Sequence, residues 1–349
     1  MRLRFLTSTP LDIRRGSGTY VGIAVLARTL EDLGHSVVFE TPRRRVPVYT
    51  AERLLFNRGL RPSVDFDLTV GFDMDGYRIA SQPGHVASLK GVIADEVRFE
   101  RGLTRLTMSV QARCERLHAH RAARVLVTSR YCAEQVRALY GLRTPAAIVP
   151  ELIDLPEWRR LLARQASAKV ETFTVLSVGR FYRRKRLDVL LRAAAVLRHR
   201  IPGLAVRIVG NGPCAASLHR LAAELKLEST VTWLGDVSRA QLAGEYNRAS
   251  AFCLPSVQEG FGIVLLEAMA AGKPIVASRA AAIPEVTPHA TLVDPEDSAA
   301  LARGIEWLSN NPDAGAAQAK EGLERVEQFA APRIAVAFLA ACGVTDSST

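Results

Sequence analysis

Glu259-Gly260-Phe261-Gly262-Ile263-Val264-Leu265-Leu266-Glu267-Ala268-Met269-Ala270-Ala271-Gly272-Lys273-Pro274 reads as a glycine-bearing loop opening straight into a helix. One carboxylate precedes the helix and a second falls inside its first turns. A helix N-terminus presents unpaired N–H groups and a partial positive charge, so it attracts phosphate. Short apolar runs at 251–254 and 274–277 flank the stretch and read as strands. An amphipathic helix with an ordinary glycine start gives the same local pattern, so the surroundings must decide.

Working outward, the same alternation of strand and helix continues in both directions. In the first half, strands are predicted at 3–9, 36–40, 67–72, 85–90, 124–128 and 146–149. Helices are predicted at 19–33, 95–121 and 131–140. In the second half, strands fall at 172–178, 204–209, 230–234, 251–254, 274–277 and 291–293. Helices fall at 187–200, 215–226 and 239–247, then from 298 onward. Alternation of this kind predicts an α/β chain with two Rossmann-like, doubly wound parallel sheets. Residues 151–169, with Pro156-Glu157-Trp158, break the rhythm. The expected division is a first domain over 1–155, a linker over 156–170, a second domain over 171–330, and a final helix and tail over 331–349.

At 349 residues, two domains of about 150 residues fit the length. The chain is 48% hydrophobic and 23% charged, ordinary for globular proteins. Its apolar runs are far shorter than the roughly 20 residues of a membrane span. MRLRFLTSTP lacks the apolar core of a secretory leader. Five cysteines, at 114, 132, 214, 253 and 342, form no C-x-x-C pair and read as reduced thiols of a cytoplasmic protein. The net charge of +11 is uneven: residues 1–165 hold 26 Lys+Arg against 17 Asp+Glu, residues 166–349 hold 20 against 18. The basic first half suits an anionic acceptor or peripheral contact with the inner face of an anionic membrane; solvated arginines explain it equally well. Aromatics, at 6%, do not interleave with the basic residues, so nucleic acid is not expected as a partner.

The carboxylates bracketing the loop suit the hydroxyls of a sugar and a ribose. With the phosphate-attracting helix start they describe a pocket for a sugar nucleotide. The segment resembles the E-x7-E signature of GT-B, family 4-like, retaining glycosyltransferases (glycosyl transferases group 1), with 260–266 as the spacer. Val178-Gly179-Arg180-Phe181-Tyr182-Arg183-Arg184-Lys185-Arg186-Leu187-Asp188 is similar to the family's Gly-Arg…Lys element. The resemblance implies two such domains facing across a cleft, with the last helix crossing back to the first. It implies that Arg180 and Lys185 hold a diphosphate and that Glu259 fixes the donor sugar; these three are the candidate catalytic residues. Glu267 would meet the ribose. Ser256, Gly260, Phe261, Gly262 and Ile263 would line the donor, the loop through backbone N–H groups. Gly210 and Asn211, in Gly210-Asn211-Gly212, either shape the nucleotide pocket or make a plain turn. No metal and no cofactor is implied; the nucleotide sugar, by default a UDP-sugar, is a substrate.

Gly16, Gly18 and Gly22 form G-x-G-x-x-x-G, with Glu40 ending the next strand. A dinucleotide fingerprint needs its glycines directly after the first strand, and residues 10–15 intervene. The resemblance puts Gly16 and Gly18 over the donor instead. Asp73-Met74-Asp75 matches the short metal motif D-x-D, a weak signal. Asp73, Asp75, Lys90 and Asp95 are candidate acceptor contacts, with loop and cap roles as the plainer reading. Relatives of this type place a histidine at the end of a first-domain strand; here Lys90 aligns there and His85 lies five residues earlier. Same-fold alternatives are a nucleotide-sugar 2-epimerase, a phosphorylase, or a non-catalytic binding protein.

Overall fold

Apolar runs buried on both faces pair as parallel strands covered by helices. The computed structural model describes residues 1–9, 18–43, 46–165 and 172–344. The chain divides into two units, Met1–Leu152 with Ala331–Thr349, and Ile153–Ala330.

The first unit carries β1 (Arg2–Leu6), β2 (Ser36–Glu40), β3 (Leu68–Phe72), β4 (His85–Leu89), β5 (Arg124–Val127) and β6 (Ala147–Ile148). All neighbours are parallel, in the order β2-β1-β3-β4-β5-β6. Leu3, Phe5, Val70 and Phe72 pack against helices Gly18–Asp32 and Ala331–Ala341. Phe338 of the last helix meets Phe5 edge-on, with centroids 6.2 Å apart. The second unit carries β7 (Thr174–Val178), β8 (Ala205–Val209), β9 (Val231–Gly235), β10 (Ala251–Leu254), β11 (Ile275–Ser278) and β12 (Thr291–Val293). They pair in parallel as β12-β11-β10-β7-β8-β9, with one core cluster on each face. The α/β expectation of two doubly wound parallel sheets is met.

Three expectations change. Most of the expected linker is helix Leu155–Arg164, part of the second unit. Asp154 caps it, its carboxylate accepting from Glu157 N at 2.9 Å, and Leu155 and Trp158 are buried one turn apart. Residues 166–170 of that linker lie outside the described residues. The long helix expected over 95–121 is interrupted: Arg101 is extended, and Gly102, at φ +55°, starts helix Gly102–Arg121. Helix Tyr49–Gly59 has no counterpart in the sequence reading, because its buried face includes Thr50, Arg53 and Asn57 while Leu55 is exposed.

Candidate functional site

Strand order in the second sheet reverses between β7 and β10, with β8 and β9 on one side and β11 and β12 on the other. Loops leaving two such strands diverge and open a crevice at their carboxyl ends. Here the loop after β7 carries Arg180 and Lys185, and the loop after β10 carries Ser256 to Gly262. Val257 N donates to Arg184 O at 2.9 Å and ties the two loops together. Lys185 Nζ then reaches Glu259 Oε1 at 2.6 Å, with side chains 17% and 8% exposed.

The first loop is braced from below. Phe181 N donates to Asn211 O at 3.0 Å, and Cys214 N donates to Phe181 O at 2.9 Å. A Cβ on Gly210, at φ +118°, would stand 2.1 Å from Gly179 O; one on Gly212 would stand 2.6 Å from Phe181 N. The Gly210-Asn211-Gly212 turn is therefore a support for the Arg180 loop. Arg180 Nη1 lies 3.6 Å from Asp236 Oδ1, both about one-third exposed, so its guanidinium is loosely held. Asp188 holds Arg186 through two bonds of 3.0 Å, an orienting role.

Gly262, at φ +94°, caps helix Ile263–Ala270. Phe261 is buried against Phe329, with centroids 5.4 Å apart, so only its backbone serves the loop. Ser256 Oγ and both amide atoms of Gln258 are buried with no hydrogen-bond partner among the described residues. Gln258 escaped the sequence reading, although it immediately precedes Glu259. Glu267 does not join the Lys185–Glu259 pair. Its Oε1 accepts from Arg239 at 3.1 Å and its Oε2 from Tyr246 Oη at 3.3 Å. Trp158 Nε1 donates to its backbone carbonyl at 3.1 Å, and the Arg239 guanidinium stacks over the Trp158 ring. Burial raises the Glu267 carboxyl above its ordinary range, with Arg239 and Tyr246 opposing the rise.

In the first unit, the order reverses between β1 and β3. Asp75, fully buried, closes that point. Its Oδ2 accepts from Ser8 N at 2.7 Å, Ser8 Oγ at 2.6 Å and Arg53 at 3.3 Å; its Oδ1 accepts from Asn57 at 3.0 Å. Asp95, 1% exposed, accepts from Tyr131 Oη at 2.6 Å and Arg98 at 3.1 Å. Lys90 Nζ pairs with Glu151 Oε2 at 3.1 Å, both side chains under a tenth exposed. Asp75, Asp95 and Lys90, the expected acceptor contacts, each have polar atoms engaged inside the unit, where burial demands partners. Asp73, at φ +52°, accepts from Lys90 N at 2.9 Å and keeps 18% of its side chain exposed. Burial pushes its carboxyl up to about 6, against the nearby Arg53. The two D-x-D carboxylates share Arg53, at 4.0 Å from Asp73 and 3.3 Å from Asp75, and differ in their other partners.

His85 begins β4 and faces inward, whereas Lys90 stands past the strand's carboxyl end. His85 Nε2 and His118 Nε2 are 2.8 Å apart, and His118 Nδ1 meets Asp73 O at 2.5 Å. With His118 Nδ1–H donating to that carbonyl, its Nε2 accepts from His85. Burial lowers His85 to about 2 and His118 to about 4, so both are neutral. Gly16 lies outside the described residues; Gly18 opens helix Gly18–Asp32.

Residues 159–325 match the profile of glycosyl transferases group 1. The D-inositol 3-phosphate glycosyltransferase of Pseudarthrobacter chlorophenolicus is 32% identical over 203 residues, 55% of this chain and 48% of its own. The chain spans about half the length of the curated relatives it matches. The sucrose-phosphate synthase of Thermosynechococcus elongatus superposes with a TM-score of 0.79 at 22% identity, over 97% of each chain. Anabaena HepE, solved with UDP and glucose, superposes with a TM-score of 0.73 at 18% identity, over 99% of this chain and all of its own. These likenesses show the GT-B fold.

Proposed function

We propose, from the premise that residues 159–325 belong to glycosyl transferases group 1 and that the chain has the GT-B fold, that the protein is a retaining glycosyltransferase. It moves a sugar from a nucleotide-diphosphate sugar to an acceptor hydroxyl. The observation that carries this reading is the 2.6 Å Lys185–Glu259 pair at the β7–β10 switch point, beside a glycine-capped helix start.

The diphosphate lies at the start of helix Ile263–Ala270, within reach of Lys185 and the loosely held Arg180. As the C1–O bond to phosphate breaks, negative charge grows on the leaving oxygen. Fixed cations there stabilise the transition state more than the ground state. Glu259 accepts from donor-sugar hydroxyls, and the 2.6 Å bond from Lys185 orients it. The acceptor oxygen bonds to C1 on the face the phosphate leaves, and its proton passes to the departing phosphate oxygen. Configuration is retained, and no strong protein base or metal is required. The unpartnered Ser256 and Gln258 support the reading: an unsatisfied buried polar group costs about 1–3 kcal/mol, which a bound sugar or nucleotide hydroxyl would remove. Glu267, with both oxygens already accepting, meets the ribose through a remaining lone pair.

A UDP-sugar is the first donor to test. Titration calorimetry with UDP, GDP and other nucleoside diphosphates reads the base. Incubating each matching sugar nucleotide with and without hydroxyl acceptors then reads the reaction. Transfer with retained anomeric configuration is expected. Conversion of donor without acceptor would mark a 2-epimerase, and absence of nucleotide binding would remove the proposal.

A further inference from the structure

Helix Gly102–Arg121 turns an apolar stripe outward. Leu103, Leu106 and Leu117 are 74%, 64% and 42% exposed. Steps of three and eleven residues keep them on one flank of the helix. Arg105, Arg113 and Arg116 are exposed beside them, and none meets a carboxylate among the described residues. Within 98–121 the only carboxylates are Glu100 and Glu115, and both are buried. The outward face therefore combines apolar side chains with uncompensated positive charge. Among the described residues no helix is long and apolar enough to cross a membrane.

We propose that this face docks the protein on an anionic lipid surface, the leucines entering the headgroup boundary and the arginines meeting lipid phosphates. Both halves of the face are used: apolar insertion supplies binding, and the arginines select negative lipid. A second copy of the same face would set arginine against arginine, which disfavours self-association.

Flotation of the full chain with vesicles of phosphatidylcholine, alone or with about one quarter phosphatidylglycerol, tests this. The protein is expected to float with the anionic vesicles only and to be released by salt. Two variants, Leu103→Ser/Leu106→Ser and Arg105→Gln/Arg113→Gln/Arg116→Gln, are each expected to lower the bound fraction at least ~10-fold. Their thermal melting should be unchanged, since all these side chains face solvent. Failure of the native chain to float with anionic vesicles would overturn the proposal. So would equal binding by both variants, or sedimentation showing a dimer that the leucine variant dissolves.

Discussion

Lys185 and Glu259 constrain each other, so the site must be probed in a way that separates chemistry from packing. Arg180→Ala is the cleanest probe. Its 3.6 Å pair with Asp236 is about one-third exposed and contributes under about 1 kcal/mol. Turnover at saturating donor should nonetheless fall at least ~100-fold, comparable to losing one charge-stabilising donor. Lys185→Ala and Glu259→Gln should lower turnover as far. Lys185→Ala should also destabilise the fold by about 1–3 kcal/mol, because it leaves a mostly buried carboxylate unpaired. Lys185→Met/Glu259→Gln removes that imbalance: denaturant melts should recover while turnover stays low. Near-native turnover in all of these would dismiss the site. This pair was readable because both residues sit in loops whose spacing from strands can be counted. The partners of Glu267 were not readable. Arg239 and Tyr246 lie on helix Arg239–Arg248, more than twenty residues upstream, and only the packing of two helices brings them to it. The partners of Asp75 and Asp95 were unreadable for the same reason: a carboxylate looks alike in sequence whether it faces solvent or, like Asp75 against Arg53 and Asp95 against Tyr131, the interior.

Turns that hold the site carry their own signature. Gly210 accepts no side chain, since its φ is +118° and a Cβ would stand 2.1 Å from Gly179 O. Gly210→Ala must move the loop that carries Arg180. A loss of on the order of 1–3 kcal/mol is expected from the backbone alone, together with weaker nucleotide binding by calorimetry. Gly59 is the internal control. It ends helix Tyr49–Gly59 with open space around its Cβ position, so Gly59→Ala should be neutral or stabilise by about 0.4–1 kcal/mol and leave nucleotide binding untouched. Equal effects of the two substitutions would show that the turn is no support. Strands were legible because an apolar run between turn residues has few other uses. Helices with a long apolar inner face, such as Leu187–Leu197, were the most legible. Tyr49–Gly59 hides Arg53 and Asn57 inside, where they serve Asp75, and so carried no periodic signal. Leu155–Arg164 looked like a linker because the signal was a Pro-Glu-Trp cluster; its proline sits in the first turn, where a missing N–H costs nothing.

Each unit has its own sheet and its own cores, so the molecule should answer two perturbations in two places. The proposed nucleotide site lies in the second unit, and nucleotide at 100 times its Kd would add about 2.7 kcal/mol there. Asp73 couples the first unit to pH; it faces Arg53, Asp75, Glu96 and the Lys90 amide. Its carboxyl, at about 6 when folded, is raised above the ordinary 3.8. A group so raised favours the folded state below its unfolded value, and that contribution is lost as pH rises through about 6. Asn mimics the protonated acid and keeps an oxygen for Lys90 N. Asp73→Asn should therefore stabilise the first unit by on the order of 1–3 kcal/mol at pH 7.5, with the gain gone by pH 4. Urea melts followed by pulse proteolysis, with fragments assigned to each unit, should show nucleotide shifting only the second unit's transition and Asp73→Asn only the first's. If nucleotide protected residues of both units equally, or Asp73→Asn moved both transitions together at every pH, the two halves would unfold as one cooperative body and the local assignment of either effect would fail.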